Sequence, residues 1–206
     1  MVAVKLCGIR TPEGAEAAGA SGASHAGLLF VPGRKRAIDL ATAKALLPLL
    51  GGATPVSVFL DASREAILET VSALGTDWVQ LHGDEPPELT EALAQEGLQV
   101  IRALSPAQAA DTEAVARHAE HAKLFLLDGA SPGSGARVPE AELRALVARL
   151  PLPVWIAGGL DPSNVAAALA ATGADGADVA SGIEEGGQPS PARMKAFVEE
   201  ARKHTT

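Results

Sequence analysis

Short β-branched and aliphatic runs alternate along this chain with longer Ala- and Leu-rich stretches. The runs predict strands over 2–7, 25–31, 55–61, 77–82, 98–103, 123–128, 152–157 and 176–180. Their spacing of roughly 20–30 residues has room for one strand and one helix each. Leu124-Phe125-Leu126-Leu127 and Val154-Trp155-Ile156-Ala157 are apolar throughout, as expected of strands buried on both faces of a parallel sheet. Thr11-Pro12-Glu13 reads as an N-cap followed by proline at the first helical position. Asp161-Pro162-Ser163 repeats that logic, and Asp61 to Glu65 and Ser190-Pro191 look like further helix starts. Eight near-equal strand–helix units predict an α/β fold, a (β/α)8 TIM barrel in a single domain over 1–206. A doubly wound open sheet is the alternative, and the equality of the units favours closure.

Composition narrows the setting. The chain has 206 residues, 47% hydrophobic and 20% charged, enough for a sizeable core. Its single cysteine cannot form an intrachain disulfide, which suits a reducing cytoplasm. Neither a signal-peptide pattern nor an apolar stretch of membrane-spanning length is apparent. The net charge of −8 argues against nucleic acid as a partner, so an anionic ligand would need a local positive site.

In such a barrel the chemistry sits at the C-terminal strand ends. In order, these ends present Cys7-Gly8, Arg34-Lys35-Arg36, Asp61, Gln80-Leu81-His82-Gly83, Arg102, Asp128-Gly129, Gly158-Gly159 and Asp178 to Gly182. Gly158 and Gly159 precede a helix start, and Ser181 and Gly182 follow the last strand, where barrels often bind phosphate. Tight turns would use glycine equally well. The additional Gly133-Ser134-Gly135 after the sixth strand tips the balance toward a phosphate cradle.

Cys7 alone reads as a small core residue. At a barrel mouth opposite Asp128 it can instead act as a base, with Asp128 as an acid on the other side of a bound sugar. Asp128 can equally cap a turn. An arginine of the basic cluster can fork onto a substrate carboxylate, although such clusters are commonly solvated surface. His82 is a ligand, a donor or a structural residue, and no His, Asp or Glu at metal spacing accompanies it. His25 falls at the start of the second strand, away from the mouth; His118, His121 and His204 fall in helical or tail stretches.

Lys5-Leu6-Cys7-Gly8-Ile9, Gln80-Leu81-His82-Gly83, Leu126-Leu127-Asp128-Gly129, Ala157-Gly158-Gly159-Leu160 and Asp178 to Glu184 together resemble phosphoribosylanthranilate isomerase. The segments come in that family's order and extend over nearly the whole chain. The resemblance implies a (β/α)8 barrel of tryptophan biosynthesis. It implies a cofactor-free Amadori rearrangement of a small phosphorylated substrate by a monomer or homodimer. It further implies Cys7 as general base, Asp128 as general acid, Arg36 as the anthranilate-carboxylate ligand and Gly158, Gly159, Ser181 and Gly182 around the phosphate. His82 and Asp178 occupy family site positions without an assigned role. No metal is implied.

The chain departs from the family's pattern in three places. Arg34 stands where the family usually has serine, which makes it a rival of Arg36; register favours Arg36. Ala180-Ser181 replaces a serine pair, and Ser57 replaces a common glycine. A histidine-biosynthesis isomerase would use two aspartates rather than Cys7, and a metal-dependent epimerase would need spaced histidines. A silent barrel that only binds phosphorylated metabolites fits less well with both Cys7 and Asp128 present.

Overall fold

A computed structural model describes residues 2–129 and 138–203. Its eight main strands close into a barrel in chain order. They are β1 (Ala3–Cys7), β2 (His25–Leu29), β3 (Thr54–Phe59), β4 (Trp78–Leu81), β5 (Gln99–Leu104), β6 (Leu124–Asp128), β7 (Val154–Ala157) and β8 (Gly176–Val179). Neighbours are parallel throughout, and β8 returns to β1 with Lys5 opposite Asp178. The predicted strands are therefore all present, and closure rather than an open sheet is the observed topology. Gly133-Ser134-Gly135 and His204 lie outside the described residues.

Helices α1 (Pro12–Ser21), α2 (Leu40–Leu46), α3 (Arg64–Leu74), α4 (Pro87–Gln95), α5 (Pro106–Ala110), α6 (Thr112–Ala119), α7 (Glu140–Arg149), α8 (Val165–Thr172) and α9 (Pro191–Lys203) lie in the connections and after β8. Local chemistry sets their starts. The Thr11 hydroxyl accepts from the Gly14 amide at 3.1 Å, with Pro12 opening α1. Ser105 and Gln108 form a reciprocal capping box on α5. The α3 start falls inside the expected Asp61 to Glu65 stretch: Ser63 caps it, while Asp61 has φ 52° and its carboxylate accepts from the Asp84 amide at 2.7 Å. The expected α8 start at Asp161 shifts. Asn164 is the α8 cap position, while Asp161 accepts from the Ser163 amide at 2.7 Å in the turn before it.

Strand alternation separates two cores. Leu6, Ala26, Leu28, Ile156 and Ala177 face outward and pack with Phe197 and Val198 of α9 and Leu169 of α8. Val56, Val58, Ile101, Ala103, Leu124 and Leu126 face inward with Cys7. Each such Val, Leu or Ile side chain contributes about 1.5–3 kcal/mol on full burial, so the inner layer forms a packed plug beneath the mouth. At the floor of the barrel, His25 is wedged edge-on between Trp78 and Trp155, with ring centroids 4.9 and 4.8 Å away. A Cβ at Gly176 would come within 2.5 Å of the Trp155 ring, so β8 begins with the residue that leaves the indole room.

Candidate active site

Cys7 is the last residue of β1, and its side chain points inward because Lys5 and Cys7 share one face of the strand. Gly27 of β2 is its register partner. A Cβ on Gly27 would lie 2.7 Å from Cys7 Sγ and 3.1 Å from Lys5 Nζ. The bare β2 backbone is thus what lets a thiol and an ammonium sit side by side. Lys5 is fully buried and its Nζ donates to Asp178 Oδ1 at 2.8 Å.

Burial pushes the Cys7 thiol above its ordinary range; the Lys5 charge pulls it back, and Asp178 adds to the upward push. Burial alone would lower the Lys5 ammonium, but the Asp178 carboxylate outweighs it and raises Lys5, and a Cys7 thiolate would add to that. Thiol, ammonium and carboxylate thus form one buried group in which burial opposes the thiolate and Lys5 favours it.

Asp128 ends β6 opposite Ala157 of β7. His82 follows β4, with Nε2 at 3.6 Å from Asp128 Oδ2 and Nδ1 at 2.7 Å from Gln80 Nε2. The Gln80 amide thus pairs with Nδ1 and orients the ring so that Nε2 faces Asp128. The His82 loop is braced from behind. Arg102, expected at the mouth, faces outward instead. Its guanidinium donates to Leu81 O at 3.2 Å, Gly83 O at 3.0 Å and Glu85 Oε2 at 2.7 Å. The reason is parity: Ile101 and Ala103 take the inward positions of β5, so Arg102 takes the outer one.

Arg36 lies against the β1 end. A Cβ on Gly8, whose φ is 82°, would be 2.4 Å from Arg36 Cδ, so the Cys-Gly step is what admits the arginine stem. Arg34 and Arg36 both border the mouth. Across it, Gly158 and Gly159 take φ of 94° and 63°, conformations that side chains other than glycine's rarely adopt. Ser181 opens a single 3₁₀ turn, Ser181–Ile183, after β8. Gly182 sits behind that rim: a Cβ on it would approach Leu160 O to 1.9 Å, so it lets the β7 and β8 loops nest.

One cavity of roughly 570 Å³ joins these groups; Cys7, Asp128, His82, Asp178, Gly158, Gly159, Ser181 and both arginines line it. The sequence-derived candidates thus converge on one mouth, with Gly182 just behind it. Sequence reasoning missed the partners: Gln80 behind His82, Glu85 behind Arg102, and Glu184, which accepts from both Arg10 and Arg36. Glu184 belongs to a two-residue strand, β9 (Glu184–Glu185), paired antiparallel with β10 (Gln188–Pro189). Its only sequence signal is its place at the end of the family-like Asp178 to Glu184 segment.

A closed parallel barrel with thiol, carboxylates and arginines gathered above its β-strand C-termini has the architecture of a (β/α)8-barrel enzyme, with its candidate chemistry at the end where such barrels hold it. The family model described as N-(5'phosphoribosyl)anthranilate (PRA) isomerase matches residues 4–200, and the chain belongs to that family. It is 40% identical over 211 residues to the N-(5'-phosphoribosyl)anthranilate isomerase of Rhodopseudomonas palustris (strain BisB5), covering 98% of this chain and 96% of that protein. The phosphoribosyl anthranilate isomerase structure from Thermotoga maritima superposes with a TM-score of 0.87 at 32% identity, covering 98% of this chain and 100% of that one. A further isomerase structure, solved in complex with reduced 1-(o-carboxyphenylamino)-1-deoxyribulose 5-phosphate, gives 0.85 at 31% identity, again with 98% and 100% coverage.

Proposed function

We propose that this protein converts N-(5'-phosphoribosyl)anthranilate to 1-(2-carboxyphenylamino)-1-deoxyribulose 5-phosphate, a step of tryptophan biosynthesis. Family membership supports the isomerase activity. The residue roles rest on one observation: a single cavity presents Cys7 and Asp128 together with an arginine pair and the Gly158-Gly159 turn.

In this reading the phosphate lies on the backbone around Gly158, Gly159, Ser181 and Gly182, whose N–H groups can approach an anion closely. Arg36 takes the aryl carboxylate. Asp128, in its acid form, gives a proton to the furanose ring oxygen. The bond from C1′ to that oxygen breaks, and the nitrogen lone pair forms the iminium. His82, whose Nε2 lies 3.6 Å from Asp128 Oδ2, flanks that carboxyl at the mouth. The Cys7 thiolate removes the C2′ proton, and the C–H electrons form the C1′=C2′ bond while nitrogen recovers its lone pair. The enolamine then tautomerises to the aminoketone. Carbon is oxidised at C2′ and reduced at C1′ within one molecule, so the reaction balances without an external redox partner or cofactor. Lys5 and the transient iminium both favour the thiolate that burial opposes.

The test is loss of anthranilate-type fluorescence when the protein meets freshly made substrate. Absence of any catalysed loss, with the protein folded, would sink the proposal.

A further inference from the structure

Among the described residues, Arg36 is engaged on one edge only. Its Nε and Nη2 donate to Glu184 Oε1 and Oε2 at 2.9 and 2.8 Å, the two-pronged side-edge pairing of guanidinium with carboxylate. The end edge, formed by Nη1 and the second Nη2 hydrogen, is left for another acceptor. Arg36 lines the cavity, whereas Glu184 is not among its lining residues, so the clamp holds from behind. The Glu184 side chain is only 9% exposed, and its Oε1 also accepts from Arg10 Nη1 at 2.9 Å. Arg10 further donates to Gly187 O in the turn between β9 and β10. Two guanidinium groups thus share one carboxylate, and the assembly keeps one net positive charge.

We propose that Glu184 is a positioning residue for carboxylate recognition. It fixes the plane of Arg36 so that the free end edge meets the aryl carboxylate of the substrate, while Arg10 offsets the charge that Glu184 would otherwise subtract. The proposal deepens the function above and rests on it, since it takes the ligand to carry an aryl carboxylate. It assigns the specificity of the site to a pair of residues 148 positions apart. It also sets Arg36 apart from Arg34, because the Glu184 contacts hold Arg36 in one orientation.

A competing expectation has the opposite sign. If Glu184 merely neutralised Arg36, removing its charge would strengthen carboxylate binding. Glu184→Gln keeps the shape and loses one acceptor and the charge. The expected result is a KM raised about tenfold or more, with kcat within about twofold of wild type. Binding should be measured in parallel for two product analogues, the reduced carboxyphenylamino-deoxyribulose phosphate and its phenylamino counterpart lacking the carboxylate. The first should weaken by the same factor, and the second should not change. An unchanged or lowered KM overturns the proposal, as does equal weakening of both analogues, which would mean that Glu184 only supports the fold. Should Glu184→Gln fail to fold by its thermal melt, Arg10→Met tests the same point. It should weaken only the carboxylate-bearing analogue, and any other pattern overturns the proposal. If the wild type binds both analogues but turns over no substrate, the isomerase reading fails while the analogue comparison still judges Glu184.

Discussion

Lys5 and Asp178 form an ion pair of 2.8 Å inside the barrel, on adjacent strands and beside the Cys7 thiol. Lys5 is fully shielded and the Asp178 side chain is 8% exposed, so the pair has lost most of its hydration. A buried pair of this kind is a poor source of stability, yet removing one partner strands the other. Lys5→Met and Asp178→Asn should each destabilise by about 3–5 kcal/mol, and the double variant by less than either. Denaturant unfolding of the four proteins measures the cycle. Additive losses would show that the two side chains do not act as a pair.

The same pair sets the ionisation of Cys7. The thiol sits above its ordinary value because of burial, with Lys5 pulling down and Asp178 pushing up. In the free enzyme the base should therefore be mostly protonated at neutral pH, and kcat/KM should climb with pH toward an alkaline limb. Lys5→Met should move that limb to higher pH and Asp178→Asn to lower pH. A pH–rate profile reads both shifts, and a shift of the same sign in both variants would rule out the electrostatic account.

Cys7→Ala and Asp128→Asn should each nearly abolish turnover while the fold survives. Both are small changes at the cavity surface rather than within the outer core, so the circular dichroism spectrum and thermal melt should stay close to wild type. Unchanged rates in either variant would remove that residue from the proton-transfer pair.

Arg36→Ala should mainly raise KM, whereas Arg34→Ala should have a smaller effect. Arg36 is held by two hydrogen bonds to Glu184 and crosses the bare Cα of Gly8. Steady-state kinetics of the two variants decides between the arginines, and the reverse order would place the carboxylate at Arg34.

Two histidines should make the fold acid-sensitive. Burial, followed by the Lys5 charge, lowers His25 to about 4, and burial, followed by the Arg102 and Arg117 charges, lowers His118 to about 4. Both are bases depressed below their unfolded value of 6.5, so the unfolded chain binds more protons as pH falls. Their contribution is whole above 6.5 and is lost progressively as pH drops from there toward 4. His25→Phe, which keeps a ring between Trp78 and Trp155, should flatten the fall of Tm across that window. An unchanged slope would mean that His25 is not among the groups responsible.

Much of the fold was legible because its signals are local. Apolar runs marked each strand, and Thr11-Pro12 and Ser190-Pro191 marked helix starts that the structure retains. The mouth was legible too, since a parallel barrel fixes which strand end faces which. Arg102 shows where that reasoning fails. Position at a strand end does not settle inward or outward direction, and the parity of β5 turns Arg102 away from the mouth to brace the His82 loop. Asp161 shows a second failure: an aspartate followed by proline looks like a cap with proline at the first helical position, yet Asn164 takes the α8 cap position and Asp161 serves the turn before it.

The sequence by itself determined the eight-unit alternation, the parallel α/β class and the residue types at the rim, because periodicity, capping and glycine chemistry act over a few neighbouring residues. Only the tertiary structure decided the partners: Lys5 with Asp178 across 173 positions, Arg36 with Glu184 across 148, and Gly27 giving up a side chain so that Cys7 and Lys5 can share its space. Those pairings follow from barrel closure, which brings β8 back beside β1 and converts distant residues into neighbours whose charges and volumes must be mutually satisfied.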